Sequence, residues 1–210
     1  MRALPPAISL RVGVSAAVAR TIAANFLMPV LTVDRCRPSV RTGDFSELLR
    51  DLRSHDIDLV VGESELLEGA RQDLEVVVLH RPALVAICAP NVTPQEGWEN
   101  VSLLEYRPSS IYHWEVARFL DERSLRPKPM GDLDDAFLML EAVALGGFVA
   151  FVPRSIARDA IKSGRVKELA SFAPTGAGVH AIFHSSEGDE VVRDAVAKLI
   201  ENARATLDER

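Results

Sequence analysis

An unbroken apolar run at residues 148–152, Phe-Val-Ala-Phe-Val, constrains the fold more than any other feature. It follows Gly146 and Gly147 and stops at Pro153, so it has the length of a strand rather than of a helix. A strand that is apolar at every position is covered on both faces, which is typical of parallel sheets flanked by helices. Residues 57–61, Ile-Asp-Leu-Val-Val, form a mostly apolar run after a helical segment. These runs predict an α/β fold.

Two similar α/β units follow each other along the chain. The first has a helix over 16–31, a second helix capped by Asp44, and predicted strands at 10–15, 38–42, 57–61, 74–79 and 83–89. The pattern restarts at residue 101, with helices at 111–122, 133–145 and 154–162 and strands at 101–105, 127–130, 148–152 and 164–169. Asp132 is the predicted N-cap of the helix at 133–145.

The last predicted strand, 178–183, and the amphipathic helix at 190–205 have no partner nearby in sequence. We expect them to return to the first unit, so that the chain crosses twice between the units, near 80–90 and 175–184. The predicted architecture is therefore two Rossmann-like lobes joined by two crossover segments. Lobe I comprises residues 1–84 and 178–210, and lobe II comprises residues 85–177.

Composition excludes several classes of protein. The net charge is −6, and the basic residues are scattered among acids, which argues against a nucleic-acid surface on this chain. No apolar run approaches the roughly 20 residues of a membrane span, and the start lacks the apolar core of a signal peptide. We therefore expect a cytoplasmic protein with no membrane partner. Cys36 and Cys88 are expected to be reduced thiols packed in or near strands.

Ligands of open α/β sheets bind beyond the carboxyl ends of the strands. In the first lobe those ends are 15–16, 42–43 and 62–64, and in the second they are 107–110, 131–132 and 153–154. Small hydroxyls and glycines at these ends leave space for a ligand and let backbone N–H groups face a carboxylate or a phosphate. Ser15 is equally well explained as a helix cap, and Thr42 and Gly43 as turn residues. Asp132 and Asp135 are better explained as caps than as ligand contacts.

Signatures of catalysis are missing from the sequence. It contains no HExxH, no Walker A loop and no GxGxxG after the first strand, and its five histidines do not fall at metal-ligand spacing. We expect no catalytic residue, no metal and no cofactor.

Three segments resemble the effector-binding domain of LysR-type transcriptional regulators. They are LRVGVSAAVARTIAANFLMPVL at 10–31, VRTGDFSELLRDLRSHDIDLVVGES at 40–64 and EAVALGGFVAFVPRSIARDAIKSGRVKEL at 141–169. The resemblance implies the two-lobed fold of type II periplasmic binding proteins, a small effector in the interlobe cleft, and a homodimer formed through the helix at 16–31 and lobe I. Movement of the lobes would be relayed to DNA through an N-terminal helix-turn-helix domain, which this chain does not contain.

Strand ends and resemblance together define the candidate effector-binding residues. They are Ser15, Ala16, Thr42, Gly43, Glu63, Ser64, Arg107, Pro108, Ser109, Ser110 and Ile111. Glu63 stands where basic or neutral residues would suit an anionic effector. Either the effector is not strongly acidic, or Glu63 points away from it.

The resulting prediction is a sensor domain whose effector, a carboxylate or another anion among the candidates, shifts an equilibrium between lobe arrangements. Two alternatives are a stand-alone solute-binding protein and, with less support, an enzyme on the same two-lobed fold. An enzyme would need a convergent acid, base or cofactor-bearing residue at the strand ends, and the sequence does not supply one clearly.

Overall fold

The strands of the protein form two separate sheets. The structure, a computed structural model, describes residues 8–16, 18, 24–33, 36–63, 71, 73–185 and 190–207. Strands β1 to β10 span Ile8–Ser15, Cys36–Gly43, Leu59–Gly62, Leu74–His80, Leu84–Cys88, Ser102–Tyr106, Lys128–Leu133, Phe148–Pro153, Lys167–Phe172 and Val179–His184. Helices α1 to α6 span Ala24–Leu31, Phe45–Arg53, Ile111–Glu122, Ala136–Leu145, Arg154–Lys162 and Glu190–Leu207.

The chain divides into two compact units, each with one five-stranded sheet. Unit 1 comprises Met1–His80 and Gly178–Arg210, and unit 2 comprises Arg81–Ala177. The strand orders are β2-β1-β3-β10-β4 in unit 1 and β7-β6-β8-β5-β9 in unit 2. The predicted α/β class with two sheets is confirmed.

In unit 1, β1 runs parallel to both β2 and β3, as expected for consecutive strands joined by helices. Strand β10 inserts antiparallel between β3 and β4, so the last strand joins the first sheet. All four residues of β3 and five of the six residues of β10 are buried, because helices and neighbouring strands cover them. Leu10, Leu59 and Leu199 belong to the core beneath this sheet.

Unit 2 repeats the arrangement. Strand β6 runs parallel to β7 and β8, and β5 lies antiparallel between β8 and β9. The apolar run at residues 148–152 lies in β8, which is buried from Val149 onward. Gly146 and Gly147, which precede it, have φ angles of 104° and 89°, a backbone conformation that L side chains rarely adopt.

Two glycines in unit 1 let helix α2 pack closely on its sheet. A Cβ atom on Gly13 would lie 2.8 Å from Cδ2 of Leu48, and one on Gly62 would overlap the ring of Phe45. Asp44 caps the helix and accepts hydrogen bonds from the N–H groups of Ser46 (2.8 Å) and Glu47 (3.3 Å), as predicted. The close packing of α2 positions the carboxyl ends of β1 and β3.

Several predicted boundaries were wrong. Asp132 is not a helix cap: it lies in β7, and α4 begins at Ala136 with Asp135 as its N-cap. Strand β7 therefore runs one residue past the predicted carboxyl end at 131–132 and ends at Leu133. The strand predicted at 164–169 begins only at Lys167, because Gly164 has a φ angle of 72° and lies in a turn. Only part of the predicted helix at 16–31 can be compared, since residues 17 and 19–23 lie outside the described residues.

Among the described residues, no helix is long and apolar enough to cross a membrane.

Candidate functional site

The predicted residues of unit 1 lie at the edge of its sheet where the parallel strands have their carboxyl ends. Ser15 is the last residue of β1 and pairs in register with Gly43, the last residue of β2. Val14 pairs with Val61 of β3, so Glu63, two residues further on, follows the adjacent strand end. Thr42 is exposed and Ala16 is half-buried. The parallel pairing therefore brings Ser15, Gly43 and Glu63 to the same edge, whereas Ser64 lies outside the described residues.

Ser15 is buried and bound to Glu63. Only 1% of its surface is exposed, and its hydroxyl donates a hydrogen bond to Oε2 of the Glu63 carboxylate. The backbone N–H of Val18 donates to the same hydroxyl oxygen at 3.3 Å, so Ser15 also acts as a local cap. The Glu63 carboxylate is therefore directed at Ser15. A carboxylate is part of this edge.

In unit 2 the predicted residues form the loop between β6 and α3. Ser110 is the N-cap of α3: its hydroxyl accepts a hydrogen bond from the N–H of Tyr112 at 3.2 Å, and its own N–H donates to the carbonyl of Arg107 at 2.8 Å. Pro108 and Ser109 are exposed, and Ile111 is half-buried. The hydroxyl of Ser110 is therefore occupied by the helix, while Ser109 presents its side chain to solvent.

Arg107 has acidic neighbours. Its guanidinium lies 3.6 Å from a carboxylate oxygen of Asp132 and 4.0 Å from one of Asp134, with 60% of its side chain exposed. Exposed pairs of this kind contribute little stability, and their side chains rearrange easily. Arg107 is therefore accessible to a ligand but is partly neutralised before one arrives.

Glu115 is a buried acid that sequence reasoning missed. Its side chain is 6% exposed, and Oε1 accepts hydrogen bonds from the N–H groups of Thr175 (2.9 Å) and Gly176 (2.6 Å) and from the Thr175 hydroxyl (3.2 Å). Arg118 donates to Oε2 and, at 3.1 Å, to the Thr175 hydroxyl. Arg81 donates to the Thr175 carbonyl. Glu115 thus fastens α3, whose N-terminus carries Ser110, to the segment that connects β9 with β10.

Tyr106 was also missed. It ends β6, directly before the Arg107 loop, and its ring packs against Tyr112 with 5.2 Å between centroids. Its hydroxyl is buried and has no hydrogen-bond partner among the described residues. Burial, reinforced by Tyr112 and Asp135, raises the pKa of Tyr106 well above its ordinary value. The phenol is therefore held neutral. Only its place at the end of a strand could have marked it in the sequence.

In the part of the chain that the structure describes, no group of three or more His, Cys, Asp or Glu side chains is arranged to hold a metal ion. The stacked pair His55 and His184, with ring centroids 4.1 Å apart, has no third ligand there. His184 instead bonds through Nε2 to the carbonyl oxygen of Leu52 at 2.8 Å. The described strand ends offer hydroxyls, backbone groups, the carboxylate of Glu63, and the guanidinium of Arg107 with its acidic neighbours Asp132 and Asp134.

Comparison with known proteins decides the family. The family model described as LysR substrate binding domain matches residues 5–204. The chain belongs to this family. The resemblance that the three sequence segments indicated is confirmed, and with it the two-lobed fold like that of periplasmic binding proteins. No curated protein matches the chain in sequence.

Solved structures of LysR-type regulators share the fold. The apo regulatory domain of HypT from Salmonella typhimurium superposes with a TM-score of 0.74 at 16% identity, over 94% of this chain and 96% of that one. The effector-binding domain of QuiR in complex with shikimate gives a TM-score of 0.69 at 14% identity, over 94% and 98%. Full-length LysG from Corynebacterium glutamicum with bound effector Arg gives 0.62 at 20% identity, over 93% of this chain and 68% of that one. At identities this low the likeness shows the fold.

The prediction of an effector-binding regulatory domain of the LysR type is confirmed at the level of the family. Which residues of this chain bind an effector is a separate question.

Proposed function

We propose that this chain senses a small molecule through the strand-end residues of both units and passes the signal to a DNA-binding domain. The observation that carries the proposal is the meeting of Ser15, Gly43 and Glu63 at one edge of the unit 1 sheet. In unit 2 the corresponding residues are Ser109 and Ser110, which lie between the carboxyl end of β6 and the start of α3. The relatives QuiR and LysG, described with shikimate and with Arg, support a small-molecule effector on this fold.

The proposed mechanism is a shift of population rather than a reaction. An effector that prefers one arrangement of the units moves the equilibrium toward it by its difference in affinity for the two. The role proposed for the strand ends is to bind the effector. A regulator acting in this way on DNA would lie in the cytoplasm.

We also propose that the chain forms a homodimer through α1 and the edge strand β2 of unit 1. Helix α1 exposes Met28 (47%) and Leu31 (49%), and edge strand β2 exposes Val40 (37%). Light scattering coupled to size-exclusion chromatography tests this: Leu31→Glu should yield monomers, because it places a charge in the apolar contact. Trp114→Glu, a substitution at an exposed residue of unit 2, should leave the dimer intact. A monomeric wild-type domain would contradict the proposal.

The effector site is tested by a thermal-shift screen of the purified domain. The panel contains carboxylates, aromatic acids, amino acids, amines, phosphates and monovalent cations. A compound that raises the unfolding temperature further as its concentration increases identifies the effector class, because a ligand of the native state stabilises it by mass action. Ser15→Ala and Ser109→Ala should each weaken that response.

Ser171→Ala provides the matched control, since Ser171 is exposed on edge strand β9 and takes no part in the proposed site. A response that survives both site substitutions would move the site elsewhere. If no compound in the panel stabilises the wild-type domain, the proposed sensing function is contradicted.

A further inference from the structure

The hydroxyl of Ser15 is engaged before any ligand arrives. A serine hydroxyl has a single donor hydrogen, and in Ser15 this hydrogen is donated to the carboxylate of Glu63. The side chain is enclosed, with 1% of the residue exposed, so it has little freedom to turn toward another acceptor. A ligand carboxylate could therefore gain a hydrogen bond from Ser15 only by displacing Glu63.

The carboxylate of Glu63 has no positively charged partner among the described residues. Among the residues that the structure describes, no cation forms an ion pair with it. The arginines on the neighbouring strands are directed at other acids: Arg11 of β1 pairs with Asp58, and Arg41 of β2 pairs with Asp51. An ionised carboxylate can only accept hydrogen bonds. At Glu63, this edge of unit 1 therefore offers a ligand an acceptor.

We propose that Glu63 determines effector specificity by selecting molecules with a protonated amine or a guanidinium group and rejecting carboxylates. The inference rests on the proposed function, because it names the ligand class of the same site. A cation near Glu63 gains both attraction and a hydrogen bond, and guanidinium and ammonium groups pair well with carboxylates. An anion in the same place meets like charge. Ser15 is a positioning residue that holds the carboxylate in place.

The test compares two sets of probes on purified wild-type domain and on Glu63→Gln. Agmatine and cadaverine are the cationic probes, and glutarate and acetate are the anionic ones, each titrated in a thermal-shift assay at constant ionic strength. Glutamine keeps the size and the acceptor oxygen of glutamate but loses its charge. Glu201→Gln changes the net charge equally at an exposed position of α6 and serves as the control.

We expect the wild-type domain and Glu201→Gln to respond to the cationic probes and not to the anionic ones. In Glu63→Gln the concentration of cationic probe needed for half of the response should rise by about tenfold, the loss of one charge-assisted contact. Glu63→Gln should also gain a response to glutarate or acetate, and the double variant with Ser15→Ala should lose it.

Three results would overturn the inference. They are an anionic response of the wild type as strong as that of Glu63→Gln, a cationic response that Glu63→Gln leaves unchanged, and no response of the wild type to either cationic probe. Each differs from failure of the proposed function, in which the wild type responds to no compound of the broad screen. Circular dichroism of each variant confirms that it is folded before the titrations are compared.

Discussion

Removing the buried carboxylate of Glu115 should destabilise unit 2 much more than removing any exposed acid on the same helix. Glu115→Ala leaves the N–H groups of Thr175 and Gly176 without their acceptor, and it also removes a partner of Arg118. Hydrogen bonds to a charged group contribute about 1.5–3 kcal/mol each.

Two features reduce that sum. Arg118 is 45% exposed and regains water when its partner is lost, so the ion pair adds little. Thr175 is exposed, and water can reach part of its backbone. We therefore expect a loss of about 2–4 kcal/mol in the free energy of unfolding. Glu115→Gln, which keeps one acceptor oxygen, should lose about 1–2 kcal/mol.

Urea denaturation followed by tryptophan fluorescence measures this loss of stability in unit 2. Both tryptophans, Trp98 and Trp114, lie in unit 2, so the signal does not report on unit 1. For a domain of this size, the expected loss corresponds to a midpoint lower by about 1–2 M urea. Glu122→Ala is the control, since Glu122 is exposed on α3, and it should change the free energy by no more than about 0.5 kcal/mol. Equal midpoints for Glu115→Ala and Glu122→Ala would refute the reasoning.

Three further predictions test other parts of the fold. The pKa of Tyr106 is raised in the folded state. The contribution of the neutral phenol to stability is therefore complete below the unfolded pKa of about 10, and it is lost as pH rises toward the folded pKa. Tyr106→Phe should reduce the loss of stability that urea titrations measure between about pH 8 and about pH 11. Cys88 is buried, and this burial, opposed by Lys167, raises the pKa of its thiol. In a Cys36→Ser background, a thiol reagent at neutral pH should therefore react with Cys88 only as fast as the domain opens. Rapid reaction in the native state would contradict the enclosure of Cys88. Gly62→Ala should cost about 1–3 kcal/mol in unfolding followed by circular dichroism, because the new methyl group displaces the Phe45 ring, whereas Gly131→Ala, with no atom within 4 Å of the added carbon, should cost nothing.

Local patterns in the chain predicted the kind and order of the elements. Apolar runs such as the one in β8 are strands because hydrophobic burial on both faces requires it, and this requirement does not depend on distant contacts. Asp44 is a cap because its side chain bonds to N–H groups two and three residues away. Both signals are local, and both were read correctly.

Boundaries that depend on pairing with another strand were not predicted in the same way. Asp132 and Asp135 are equally good caps in isolation, and only the pairing of Asp132 with Glu105 of β6 extends β7 past it and leaves the cap to Asp135. Strand β9 likewise begins at Lys167, opposite Cys88 of β5, after the turn at Gly164. Strand pairing joins residues far apart in sequence, so periodicity within a segment does not contain it.

The sequence by itself determined that this protein is an α/β chain whose strand ends carry small residues that leave space for a ligand. It also placed Ser15, Thr42, Gly43 and Glu63 in one candidate set. Only the tertiary structure decided that Ser15 donates its hydrogen bond to Glu63, across 48 residues of chain. It also decided that Glu115, one acid among many, is the one that holds Thr175 and Gly176. The physical reason is the same in both cases: a carboxylate acquires its role from the donors that surround it, and here those donors come from other elements of the fold.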